Sequence, residues 1–457
     1  MEKQLQGSLT RGPIFKVLMA LALPIMASAF LSTAYSIVDM FWIGKMGSAA
    51  VAGVGIGGQF VWFSSGIATL AKMGGQIHVG QALGAGDRDR AVRYGKAALQ
   101  MILLFGIVYG LIFALFASQL VGIFHLTDPQ TIAYANVYCR ISCGLILFSF
   151  INTVLIGLYT AQGDSKTPLK ANVIGLLLNI VLDPIMIFGL GPFPEWKVVG
   201  AAVATVISQA VATGILVGSI YSKKRQENIL REVRIFSKPE KTYLSNVLKM
   251  GWPNAIQSLF YCGISMVLTR VIAGFGDVAV AAARLCEQLE ALTWNVSDGF
   301  SGAINAFVAQ NFGAKMMDRV KKGYGAAFIL SVVWGIFITA LFLMYPQEII
   351  GLFFAKPEEI SVAVGYLTIV GLSQAFMSVE LMAVGAISGL GSTKVCSGIS
   401  VFFTVLRVPL ALVLSQTSLG LLGVWWTLTL TSVAKGVCLH FAFVWQRKKK
   451  NRELELS

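Results

Sequence analysis

The chain has 457 residues, 56% hydrophobic and only 13% charged, with a mean hydropathy of +0.73. A soluble domain needs far less apolar surface to fill its core, so composition points to a polytopic membrane protein and argues against a water-soluble enzyme. The formal charge of +14 would suggest nucleic-acid binding in a soluble protein. Here the basic residues sort by position along the chain, which reads as membrane topology, and no nucleic-acid partner is expected.

In chain order, apolar runs of about 20 residues or more predict twelve membrane spans, near 14–43, 50–79, 94–125, 131–160, 167–190, 199–222, 249–275, 278–309, 323–354, 359–388, 395–415 and 419–446. Lys and Arg gather at the N-terminus, in alternate connections (Arg88, Arg90, Arg93 and Lys96; Lys166 and Lys170; the 223–249 segment; Lys315, Arg319, Lys321 and Lys322; Lys394) and from Arg447 onward. The other connections hold only Lys45, Lys197 and Lys356. The positive-inside rule therefore predicts a cytoplasmic (inner) membrane protein with both termini in the cytoplasm. The first apolar segment is too long for a signal-peptide core and carries Lys16, so it is expected to remain as the first span. The six cysteines lack CxxC spacing and imply neither a disulfide framework nor a metal site.

The second half of the chain repeats the first. An offset of 229 residues aligns Pro24 with Pro253, G-S-A-A-V-A (47–52) with G-D-V-A-V-A (276–281), and Q-A-L-G-A-G-D-R-D-R (81–90) with Q-N-F-G-A-K-M-M-D-R (310–319). Further on the offset is 228, where G-D-S-K-T (163–167) meets G-S-T-K-V (391–395). The expected organisation is all-α: an N-lobe (1–222, six spans), a cytoplasmic linker (223–248), a C-lobe (249–446, six spans) and a basic tail (447–457). Six is even, so both lobes enter the membrane the same way, related by an axis along its normal, with a cleft between them for substrate.

The halves differ where charge is concerned. Asp39 aligns with Leu268, Asn179 with Arg407 and Asp183 with Ala411, so the first half's acids are missing from the second. A carboxylate at mid-bilayer costs at least about 2.5–3.5 kcal/mol and persists mainly where it faces a bundle interior or water. At 100° per residue, Asn172, Asn179 and Asp183 form one polar stripe on an apolar span. Pro184 brings no amide hydrogen and clashes with the carbonyl of Ile180, so a kink and a loose carbonyl are expected one turn below the acid. Carboxylate, amide and carbonyl together read as an ion or proton site; the plainer reading is a kink with a buried acid satisfied by hydroxyls. Asp39 is the other candidate, beyond the kink expected at Pro24, its plainer reading being an acid reaching the outer interface.

In the second half, span 8 (A-R-L-C-E-Q-L-E-A-L-T-W-N-V-S-D, 283–298) carries Arg284, Glu287, Glu290 and Asp298. Arg284 and Glu287, at i,i+3, read as an internal ion pair. Glu290 has no basic neighbour one turn away and is the better candidate to meet an organic cation; Glu287 and Glu380 are candidates for the same cavity. Several motifs are negative. G-V-G-I-G-G (53–58) matches GxGxxG but lies within a predicted span with no strand before it, so it reads as close helix packing. No GxxxxGK[ST] motif occurs, which removes ATP use through a P-loop, and three scattered histidines disfavour a zinc centre.

At these residues the chain resembles the MATE (multidrug and toxic compound extrusion) family, bacterial or archaeal branch, of the MOP flippase superfamily. The resemblance covers nearly its whole length: L-P-I-M in span 1, I-V-D-M-F-W-I-G, the duplicated Q-x-x-G-A, A-Q-G-D-S-K-T and N-I-V-L-D-P. It implies a V-shaped, twelve-helix antiporter that exports organic cations in exchange for H⁺ or Na⁺; no other cofactor is expected, and a monomer is expected. It also implies a first-lobe ion site at positions matching Asp39, Asn179 and Asp183 plus a span 6 threonine, here Thr205, with Na⁺ the one metal in view; Glu290 matches the family's span 8 glutamate. The acids that one branch carries on spans 7 and 10 are replaced here by Tyr261 or Cys262 and by Met377, which favours first-lobe coupling. The rival expectation is a lipid-linked oligosaccharide flippase of the same superfamily, kept in view by Arg284 and Arg407. A channel and a membrane enzyme are further alternatives.

Overall fold

The computed structural model describes residues 9–191, 194–222, 228–354 and 356–456; the first five residues of the expected linker, 223–227, lie outside them. The described chain is helical, with no strand. The elements are α1 (Ile14–Gly44), α2 (Ser48–Gly84), α3 (Arg88–Gly122), α4 (Pro129–Tyr138), α5 (Leu147–Ala161), α6 (Lys166–Phe188), α7 (Val198–Ile220), α8 (Lys241–Ala273), α9 (Asp277–Gly313), α10 (Met317–Met344), α11 (Pro346–Gly351), α12 (Pro357–Gly371), α13 (Gln374–Gly389), α14 (Thr393–Ser415) and α15 (Leu421–Glu455).

Nine of these helices are individually long and apolar enough to cross a membrane. Two bent pairs, Pro129–Cys143 with Leu147–Ala161 (46°) and Pro357–Gly371 with Gln374–Gly389 (51°), raise the number to eleven among the described residues. The remaining expected span is α9, 37 residues long. It is less apolar because Arg284, Glu287, Glu290 and Asp298 sit beside Asn295 and Asn305, so sequence patterning and hydropathy diverge here for a chemical reason. Outward residues such as Leu115, Ile329 and Phe441 are more than half exposed, a surface suited to lipid rather than water.

The internal repeat is written into the backbone. Helices α2 and α9 are both 37 residues long, each preceded by a glycine with φ near +104° (Gly47 and Gly276). Both end in the same C-cap: Ala85 and Ala314 donate to the carbonyls of Gln81 and Gln310, followed by a left-handed residue, Gly86 in one half and Lys315 in the other. The bend in the fourth span of each half recurs, through a π turn at Cys139–Cys143 in the first and at Leu372–Ser373 in the second. Gly200 and Gly423, early in α7 and α15, lie so close to the carbonyls of Met186 and Leu414 that neither leaves room for a Cβ.

Two compact units result. One is Ala27–Trp252; the other joins Leu9–Met26 to Pro253 and everything after it. The division cuts the continuous helices α1, between Met26 and Ala27 a few residues past Pro24, and α8, at Pro253, so the first turns of α1, which chain order places with the first half, group with the second. There Leu18 and Leu21 pack in one cluster with Val296, Phe300, Phe307 and Met382. In the first unit Ile43, Val54, Tyr138, Ile187 and Val198 form a smaller core. The linker from Asn228 onward is tied to the first unit. Arg88 pairs with Glu232 and Lys96 with Glu240, both at 2.7 Å, and Gln100 donates to the carbonyls of Ile235 and Ser237. Lys96 holds the Glu240 carboxyl below its usual range. Exposed pairs of this kind contribute about 0–1 kcal/mol each.

Candidate functional site

In the first unit, helical periodicity puts Tyr35 and Asp39 on one face of α1, and Asn179 and Asp183 on one face of α6, each pair at i,i+4. The α6 pair is closed by a hydrogen bond, Asn179 Nδ2 donating to Asp183 Oδ1 at 3.1 Å. Both residues are buried, 1% and 0% exposed. The Asp39 carboxyl reaches that of Asp183 across α1 and α6. Thr205 of α7 stands beside them, its hydroxyl 3.1 Å from that of Tyr35, and Tyr138 at the end of α4 completes the wall near Asp39. The structure thus brings together Asp39, Asn179, Asp183 and Thr205 from three helices. Helix α6 stays helical through Pro184, and α1 through Pro24. Pro184 has no N–H for the carbonyl of Ile180, so that oxygen lacks its usual partner even though the helix continues.

Three oxygens in this cluster, Asp39 Oδ1, Asn179 Oδ1 and Asp183 Oδ2, are buried without a donor among the described residues. Buried acceptors are otherwise paired in folded proteins. Two adjoining carboxyls and neutral oxygens make a set that can share a proton or wrap a monovalent cation, either of which offsets the repulsion between the acids.

The second unit places its acids differently. Arg284 and Glu287 form the expected ion pair at 3.0 Å, half-exposed. Glu290 accepts from Gln374 Nε2 at 2.9 Å and from the Tyr366 hydroxyl at 3.4 Å. Glu380, expected to meet an exported cation, has a cation built in: Lys435 of α15 lies 2.8 Å away, both side chains under 10% exposed. Arg407, in the place of Asn179, donates to Thr431 and Ser432 at 3.0 Å. All three carboxylates, Arg407 and Lys435 line one cavity of about 110 Å³.

Sequence reasoning missed Tyr35, Tyr138, Gln374, Tyr366 and the pairing of Lys435. Tyr35 carried a signal, standing one turn before Asp39 on the same face. The others come from helices distant in sequence and carried none.

A duplicated, multi-pass helical fold with ionisable groups gathered inside its units is the architecture of a membrane transporter. The chain belongs to the MatE family, whose model matches it twice, over residues 24–185 and 253–413, once for each half of the repeat. Similar sequences include the probable multidrug resistance protein NorM of Thermotoga maritima, 28% identical over 416 residues that cover 90% of this chain and 88% of that one. The probable multidrug resistance protein YoeA of Bacillus subtilis is 26% identical, covering 94% of each chain. Among solved structures, a MOP superfamily transporter of Pyrococcus furiosus, whose binding pocket is described as reversed in polarity, superposes with a TM-score of 0.89 at 22% identity, covering 98% of this chain and 99% of that one. An outward-facing MATE family transporter gives the same TM-score and identity over the full length of both chains. At this identity these structures establish the fold.

Proposed function

We propose that the protein exports organic cations, drugs among them, across the cytoplasmic membrane in exchange for H⁺ or Na⁺, by alternating access. The cluster of Asp39, Asn179, Asp183 and Thr205, built around the buried Asn179–Asp183 pair, carries the coupling half of this reading. The multidrug resistance relatives support the substrate half. In the proposed cycle the outward-open state takes up H⁺ or Na⁺ at Asp39 and Asp183, α1 and α6 rearrange about Pro24 and Pro184, affinity for the exported cation falls, and the inward-open state releases the ion. A ligand drives such a change only through its unequal affinity for the two states, and an ion between two otherwise repelling acids has that property. Both termini face the cytoplasm in this reading, the working unit is a monomer, and the ion is the only cofactor.

The test is release of a fluorescent organic cation from proteoliposomes under an imposed pH gradient and then a Na⁺ gradient. Movement driven by one gradient and lost in Asp183→Asn supports the proposal and identifies the ion. Dissipation of either gradient without exchange would indicate a channel. Arg407, which no carboxylate pairs with among the described residues, favours a second reading, a flippase for anionic lipid-linked substrates, which failure under both gradients would bring forward.

A further inference from the structure

The cavity inside the second unit lies among α8, α9, α12, α13, α14 and α15. Its charges sort into pairs and a remainder. Glu380 and Lys435 neutralise each other, and Arg284 neutralises Glu287. Glu290 and Arg407 are left over. Each is held only by neutral groups, Glu290 by Gln374 and Tyr366, Arg407 by Thr431 and Ser432. Neither forms an ion pair with any described residue, although the two are near enough to influence each other electrostatically.

A cavity with a lone carboxylate on its α9 wall and a lone guanidinium on its α14 wall has the charge pattern of a mould. A simple organic cation would satisfy Glu290 but sit close to Arg407 and Lys435. A simple anion would satisfy Arg407 but meet Glu290 and Glu380. Only a molecule carrying both signs satisfies both walls. The guanidinium offers a carboxylate two parallel N–H donors. Tyr261, Trp294 and Tyr366 also line the cavity, and aromatic rings suit an ammonium group. Size narrows the class further: a cavity of about 150 Å³ takes benzene, with six non-hydrogen atoms, so one of about 110 Å³ that is partly open suits a molecule of that size or smaller.

We propose that this cavity is a binding site for a small zwitterion the size of a simple amino acid, its ammonium against Glu290 and its carboxylate against Arg407. The site is separate from the export reading, because occupancy is measured with no gradient and no transport.

The experiment is calorimetric titration of the purified full-length protein in lipid nanodiscs with three ligands of equal heavy-atom count: alanine (zwitterion), alaninamide (cation) and lactate (anion). Alanine is expected to bind at least tenfold more tightly than either analogue. Glu290→Gln and Arg407→Gln are each expected to weaken alanine at least tenfold, Arg407→Gln also narrowing its lead over alaninamide, while Arg407→Lys, which keeps the charge but not the paired donors, weakens it less than Arg407→Gln. Equal binding of alanine and alaninamide, no binding of any of the three, or alanine binding unchanged by both neutral variants would overturn the proposal. The ranking on the unaltered protein decides it even where a variant fails to fold.

Discussion

The two units share a fold and differ in how they settle charge. The first keeps Asp39 and Asp183 together with no basic side chain against either among the described residues, leaving three acceptor oxygens open. At the matching positions the second has Leu268, Arg407 and Ala411, and it sets Lys435 against Glu380 and Arg284 against Glu287. In the proposed function the first unit's compensation is an ion that comes and goes, while the second unit neutralises Glu380 and Glu287 from its own side chains and leaves Glu290 and Arg407 over. Duplication preserved the backbone, down to matching helix caps, and the chemistry diverged by substitutions on several helices.

The sharpest way to break this contrast is to neutralise an acid in each unit. Asp183→Asn is expected to reduce gradient-driven export to background, whereas Glu287→Gln, at the half-exposed pair, leaves it within about twofold. Proteoliposome release rates decide, and a coupled Asp183→Asn protein would remove the first unit's special role. Next in size is Lys435→Met, which strands a buried carboxylate at a cost of about 3–5 kcal/mol, most of it recovered when Glu380→Met is added. Thermal unfolding in one detergent measures this, and a single variant as stable as the parent would mean that Glu380 is not compensated by Lys435. Gly200→Ala and Gly423→Ala should each cost about 1–3 kcal/mol, since a Cβ at either place meets a backbone carbonyl. Unequal losses would show that the two units tolerate strain differently.

The smallest effect tests the repeat itself. Lys315 has φ +59° where its counterpart is Gly86, and Lys197 has φ +51° where Gly420, at the same point before α15, has the same angle. Lys315→Gly and Lys197→Gly are each expected to raise stability by about 0.5–1 kcal/mol, because relief of the left-handed backbone outweighs glycine's extra freedom in the unfolded chain. Unfolding temperatures that fall instead would show that the lysine side chains contribute more than their backbones lose.

Much of this was legible in the sequence. Long apolar runs locate helices well because lipid leaves a spanning segment few alternatives. The repeat showed through glycines and prolines whose backbone roles hold them at fixed offsets. The α6 pair could be read because Asn179 and Asp183 share a helix and an i,i+4 step sets their geometry. The second unit's cavity could not be read in the same way. Glu290 meets Gln374 84 residues away, and Glu380 meets Lys435 on a different helix. Helical periodicity says which way a side chain points but not which helix lies opposite. The grouping of α1's first turns with the second unit was hidden for the same reason.

That grouping bears on how the protein is made. Leu18 and Leu21 are synthesised more than 270 residues ahead of Val296, Phe300 and Met382, which share their core. At about 5–20 residues per second the delay is on the order of tens of seconds. Through that interval the start of the first helix must be shielded by lipid or by an insertion chaperone, and a nascent chain halted after its first repeat keeps an uncovered apolar stretch by which quality control can tell an unfinished transporter from a finished one.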